Sequence, residues 1–159
     1  MFHTPTTSRP LLFAIAFGCF AAVGAALYLQ HAMDLLPCPL CVIQRYAFLA
    51  TGLLCLIAAA SSKPRIWAGI ALLCTLGGVA TVAKHLWVLG HPGLSCGIDP
   101  METFLNKIPS ATYLPWLFRA DGMCEDARDL VLGLSVPQWS AVAFAGVTVA
   151  LLAALLRRR

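Results

Sequence analysis

The sequence predicts an all-α integral membrane protein, a four-transmembrane-helix bundle with a long outer loop carrying a short interfacial helix, and three observations predict it. Of 159 residues, 60% are hydrophobic and only 11% charged, whereas a soluble domain clothes its surface with about 25% charged residues. Four apolar windows come close to the ~20 residues that a helix needs to cross the hydrocarbon. Every acidic residue falls in two of the connections, whereas the third connection and both ends carry basic residues and no acid. The same composition, with a mean hydropathy of +0.81, excludes an ordinary cytosolic enzyme and a disordered tail. A net charge of +4 on dispersed or terminal basic residues forms no stripe that could follow phosphates, so the expected surround is a lipid bilayer and not nucleic acid.

The first span, about 11–30, carries no charge. Arg9 ahead of it and the small residues Ala25 and Ala26 would also suit a secretory leader, but the apolar run exceeds the roughly 7–15 residues of such a segment. An outer connection, about 31–40, leads to the second span, about 41–60, whose only charge is Arg45. The short link 61–65 turns it back onto the third span, about 66–89, as an antiparallel hairpin. The outer loop, about 90–138, has a pattern of its own. Asp99 suits an N-cap, Pro100 the first helical position and Glu102 a capping-box acid. Met101, Phe104, Leu105 and Ile108 keep helical spacing until Pro109 stops it. This helix is expected to lie in the membrane surface with Lys107 reaching water, a cap on the bundle being the other reading. The fourth span runs from about 139 to 156, and residues 1–159 read as a single membrane domain without internal repeats.

Charge gives the orientation. Arg9, Lys63, Arg65, Arg157, Arg158 and Arg159 fall on one face of this arrangement, while Asp34, Asp99, Glu102, Asp121, Glu125, Asp126 and Asp129 fall on the other. Lysine and arginine accumulate on the cytoplasmic side, so both termini are expected there and the longer loops outside. Tyr28, Trp87 and Trp139 near the outer boundary, with Trp67 near the inner one, fit an interfacial aromatic belt.

That topology sorts the seven cysteines. Cys19, Cys55 and Cys74 lie within spans and are expected to pack as small hydrophobes. Cys38, Cys41, Cys96 and Cys124 lie on the outer side, which in a bacterium is oxidising, and read as two disulfides or as redox partners. Cys38-Pro39-Leu40-Cys41 stands at the outer end of the second helix. The positive end of the helix dipole and Arg45, one turn beyond Cys41, would both stabilise a thiolate at Cys41; a permanent clip on the helix start is the alternative. A metal is not expected, because Cys96 and Cys124 are 28 positions apart and make no second close knuckle for zinc.

Arg45 is costly in a membrane helix without water or a polar partner, unless it snorkels. Lys84 and His85 approach the same interface, and Gln44 stands beside Arg45, so together they could offer hydrogen bonds and positive charge to a polar headgroup. A dithiol oxidised catalytically must dispose of two electrons and two protons. With no motif for flavin, haem or nicotinamide, a membrane-diffusible quinone meets the requirement, Arg45 stabilising the negative charge that develops on its oxygen.

The outer C-P-L-C, the arginine four positions after its second cysteine, the widely spaced loop pair, Gln30-His31-Ala32-Met33, Lys84-His85 and Leu132-Gly133-Leu134-Ser135-Val136-Pro137-Gln138-Trp139 together resemble the DsbB family of bacterial disulfide bond formation proteins over nearly the whole chain. The resemblance implies a relay. A reduced DsbA-like periplasmic thiol oxidase attacks a Cys96–Cys124 bridge at Cys96. Electrons then pass to the Cys38–Cys41 pair, with Cys38 the contact for the loop cysteines, and Cys41 delivers them to ubiquinone or menaquinone bound with the help of Arg45 and His85. It also implies a place in the bacterial inner membrane and a role in forming disulfides in exported proteins. Gly90, Gly93, Gly97 and Gly122 would let the loop move, and Gln44 replaces an acid frequent in the family. Two other readings stand beside this one. A non-enzymatic four-span protein with two structural outer disulfides would not need Arg45 where it is. A quinone-linked thiol oxidase resembling vitamin K epoxide reductase would carry its two pairs in the reverse chain order.

Overall fold

The computed structural model describes residues 9–91, 98–124, 127–128 and 130–156. In chain order the elements are α1 (Arg9–Ala32), α2 (Pro39–Ala60), α3 (Pro64–Gly90), α4 (Ile98–Asn106), α5 (Pro109–Tyr113), α6 (Pro115–Phe118), β1 (Leu130–Val131), β2 (Leu134–Ser135) and α7 (Val136–Leu156). Proline stands in the first two positions of every helix but α4, where its missing N–H costs nothing and its φ is already helical. The long helices therefore begin two or three residues ahead of their apolar windows.

The pairs α1/α2, α2/α3, α3/α7 and α7/α1 pack as the four sides of a closed bundle. Leu12, Ile15, Ala16, Cys19 and Val23 commit one face of α1 to that core, which Cys55 also enters. Across the middle, the Phe48 and Phe144 rings stack at 3.9 Å and 11°. Gly78 makes this possible, since a Cβ there would overlap the Phe144 ring. The Thr51 and Thr75 hydroxyls meet at 3.1 Å. Thr75 uses its proton on the Ala71 carbonyl at 2.9 Å, so Thr51 is the donor between them and this buried polar pair is satisfied within the bundle.

The outer faces of the long helices are as apolar as the core. Phe17, Leu73 and Val149 are 76%, 69% and 67% exposed, and leaving such side chains in water forgoes roughly 1.5–3 kcal/mol each. Lipid removes that penalty. With four helices among the described residues long and apolar enough to cross, the chain is a multi-pass membrane protein.

At one end of the bundle, α4, α5 and α6 fold onto the first turns of α2, where Val42, Leu105, Ala111, Phe118 and Ala120 bury together. Pro109 ends the run of α4 as expected but opens α5, and Pro115 opens α6. α4 starts at Ile98, ahead of Asp99, whose side chain lies outside the described residues. Leu105 faces α2, whereas Phe104 points outward with Tyr113 and Trp116. The hairpin of β1 and β2 was not expected. Leu130 pairs with Ser135 and Val131 with Leu134, and Leu132 and Gly133 have φ of 53° and 88°, the left-handed values of a two-residue primed turn. The Trp139 indole N–H donates to the Val131 carbonyl at 2.8 Å and the Ser135 amide to Gln138 Oε1 at 2.8 Å, seating the hairpin on the start of α7.

Candidate functional site: a dithiol at the N-terminal end of α2

The site begins as a helix cap. Cys38 has extended backbone, φ −78° and ψ 165°, and its Sγ accepts the Cys41 amide at 3.3 Å. Its carbonyl accepts the Val42 amide at 3.1 Å, while Pro39 has no amide to satisfy. The three-residue step of the first turn then brings the two sulfurs to 3.0 Å, with Cys38 donating to Cys41. That is about 1 Å longer than a disulfide bond, so closure needs little movement. The hydrogen bond to Cys41, together with burial, pushes the Cys38 thiol up.

α3 supplies the back wall. His85 is completely buried, with Nε2 3.7 Å from Cys38 Sγ and Nδ1 3.4 Å from the Gln44 side-chain nitrogen. Both cysteine sulfurs and a His85 ring nitrogen lie within 4.8 Å of one another. Lys84 is exposed, about 100° around the helix from His85, and drops out of the cluster.

Arg45, one turn below Cys41, is buried and donates from Nη1 to the Leu117 carbonyl at 2.9 Å. No other hydrogen bond of its guanidinium occurs among the described residues, so most of its five donors stay available to a ligand. Beside it, the Tyr46 ring stacks on Phe118 at 4.4 Å and its hydroxyl meets Ser110 Oγ. Gln30 reaches from α1 to the Trp116 carbonyl at 3.2 Å. These contacts strap α5 and α6 over the N-terminal end of α2.

Cys124 is buried in one cluster with Cys38, Leu40 and Val88, against which Cys41 and Met101 pack. It is disulfide-bonded. Cys96, and with it the expected Cys96–Cys124 pairing, lies outside the described residues. Main-chain contacts set the place of Cys124. The Asp121 and Gly122 amides both donate to the Pro37 carbonyl at 3.1 Å, and the Asn106 side chain exchanges two hydrogen bonds of 2.9 Å with Ala120. A Cβ on Gly122 would overlap the Leu36 carbonyl. Here, then, glycine serves close approach, where the sequence suggested loop mobility. Asn106, Tyr46, Ser110 and the carbonyls of Pro37 and Leu117 were not foreseen; only Asn106, a lone amide at the end of an amphipathic helix, carried any signal.

The matches to known proteins extend over almost the entire length. The family described as "Disulfide bond formation protein DsbB" matches residues 8–154. The chain is 47% identical over 154 residues to the "Disulfide bond formation protein B" of Herminiimonas arsenicoxydans, covering 96% of this chain and 98% of that one. It is 44% identical over 152 residues to the protein of the same name from Ralstonia nicotianae, covering 95% and 96%. To the "Disulfide bond formation protein B 1" of Pseudomonas syringae pv. syringae it is 40% identical over 144 residues, covering 89% and 85%.

Proposed function

The chain belongs to the DsbB family of disulfide bond formation proteins, and from that membership we propose that it is a protein dithiol:quinone oxidoreductase. It reoxidises a DsbA-like periplasmic thiol oxidase, passing electrons through Cys96/Cys124 and then Cys38/Cys41 to ubiquinone or menaquinone, and so supports disulfide formation in exported proteins. The observation that carries this reading is the Cys38–Cys41 pair, two sulfurs 3.0 Å apart backed by the buried cation Arg45. A structural clip needs no buried cation beside it, and burying one is costly. The positive-inside rule puts Arg9, Lys63, Arg65 and the terminal arginines in the cytoplasm and the dithiol at the periplasmic face of the inner membrane.

The steps balance as thiol–disulfide exchanges. A thiolate of the reduced partner attacks Cys96 of the loop bridge, forming a disulfide between the two proteins and releasing Cys124. The partner's second thiol displaces Cys96 and leaves the loop as a dithiol. The loop dithiol then reduces the Cys38–Cys41 disulfide and is itself reoxidised; Cys38 is the contact, in keeping with the packing of Cys124 against it. Two electrons and two protons now reside on Cys38 and Cys41. A bound quinone supplies a sink for both. Arg45 fits the task of holding a quinone oxygen, because its unused donors belong to a charged group and charge-assisted bonds are strong. His85 completes the polar wall beside the sulfurs, and Cys41, half-buried where Cys38 is fully buried, is the sulfur open to the acceptor.

The test is quinone reduction by the purified, detergent-solubilised protein with a reduced DsbA-like donor, in wild type, Cys41→Ser and Cys96→Ser. Turnover by wild type alone is expected. Turnover that survives Cys96→Ser removes the loop pair from the relay, and no turnover with any quinone favours the structural-disulfide reading.

A further inference from the structure

We propose that in its dithiol state the site also captures a soft monovalent cation, Cu(I), on Cys38 Sγ, Cys41 Sγ and a ring nitrogen of His85. This goes beyond the relay and does not depend on which acceptor the relay uses. Ligands 2.0–2.3 Å from a metal stand roughly 3.5–4 Å from one another. His85 Nε2 and Cys38 Sγ already stand 3.7 Å apart, and all three ligand atoms fall within 4.8 Å. The sulfurs, at 3.0 Å, need to part by less than about 1 Å, within reach of a small side-chain rotation.

Three further features suit a metal. Two thiolates and an imidazole are a soft donor set that favours Cu(I). Gln44 stands against the remaining nitrogen of His85 at 3.4 Å, and a half-turn of its amide would present the oxygen to Nδ1–H, the outer support that ligating histidines usually have. Charge decides between metals. Two thiolates beside the buried guanidinium of Arg45 leave one negative charge, which a monovalent ion cancels and a divalent ion overshoots. In a weakly solvated place the neutral set is favoured.

Binding exchanges two S–H bonds for two Cu–S bonds and releases two protons, while copper stays in the +1 state and nothing is oxidised. A Cys38–Cys41 disulfide has no thiolate to offer, so only the reduced site binds. Separation in the chain hides this trio: His85 lies 44 positions beyond Cys41, and the spacing of the cysteines alone carries no sign of a histidine ligand.

The full-length protein carrying Cys96→Ser and Cys124→Ser, purified in detergent and reduced, is titrated with Cu(I) under anaerobic conditions against a chromophoric Cu(I) chelator. One Cu(I) per chain is expected in the dithiol form and none after oxidation to the Cys38–Cys41 disulfide. Cys41→Ser abolishes binding and His85→Ala weakens it at least tenfold. X-ray absorption of the loaded protein is expected to give two sulfurs and one nitrogen. Absence of binding, an affinity indifferent to His85→Ala, or an all-sulfur shell overturns the proposal. Should His85→Ala fail to fold, His85→Gln, which keeps bulk and polarity, and the ligand count decide. Copper capture without quinone turnover sinks only the relay, and turnover without capture sinks only the metal site.

Discussion

Arg45 does two things at once: it ties α6 to α2 through the Leu117 carbonyl and, in the proposed function, offers its other donors to the quinone. A hydrogen bond from a charged group is worth about 1.5–3 kcal/mol, or roughly ten- to a hundredfold in binding. Arg45→Ala should therefore raise the apparent KM for quinone by about tenfold or more and that for the DsbA-like donor far less, as steady-state kinetics with each substrate varied in turn would reveal; equal shifts in both would remove Arg45 from quinone binding. At this scale the sequence was informative where one helix sets the geometry. Cys38, Cys41 and Arg45 share the first turns of α2, and steps of three and four residues put side chains on one face. Between helices it was less informative. His85 could be named but not its partners Gln44 and Cys38, 41 and 47 positions away, and grouping it with Lys84 ignored the rotation between adjacent helical residues. The carbonyls of Pro37 and Leu117 leave no mark in a sequence at all.

Among the elements, the connection between α3 and α7 depends most on a single residue type. Gly122 lets the segment that leads to Cys124 lie against Leu36 and Pro37, so Gly122→Ala must push that segment away. Overpacking of this kind costs about 1–3 kcal/mol. We expect a lower thermal midpoint in detergent and slower disulfide exchange between the loop and Cys38, measured by trapping the mixed disulfides; an alanine variant that matches wild type in both would mean that the latch is not needed. The long helices were legible because about 20 apolar residues leave one solution in lipid. The small elements were not, because five residues of α5, four of α6 and two in each strand are too few to display a period. Leu132 adds to the difficulty, since it takes a left-handed conformation in which glycine or asparagine is the usual signal.

Taken whole, the molecule keeps its polar chemistry at one end of a bundle that is apolar inside and out. The exceptions within the spans, such as Thr51 and Thr75, satisfy each other. Segregated charge and apolar periodicity conveyed this plan in the sequence, because both follow from the bilayer and neither needs knowledge of how helices pair; the diagonal Phe48–Phe144 stack over Gly78 needed the packed bundle. In the proposed relay one sulfur is both an electron carrier and the fastening of a membrane-crossing helix, for Cys38 Sγ accepts the Cys41 amide. A disulfide sulfur accepts more weakly than a thiol or thiolate, so each electron pair that arrives tightens the first turn of α2 and each that departs loosens it. The Cys41 amide is thereby a gauge of charge state: its hydrogen exchange should be faster in the oxidised protein, and equal protection in both states would disconnect the gauge. Electron occupancy could then be followed in the resting protein, with neither donor nor acceptor present.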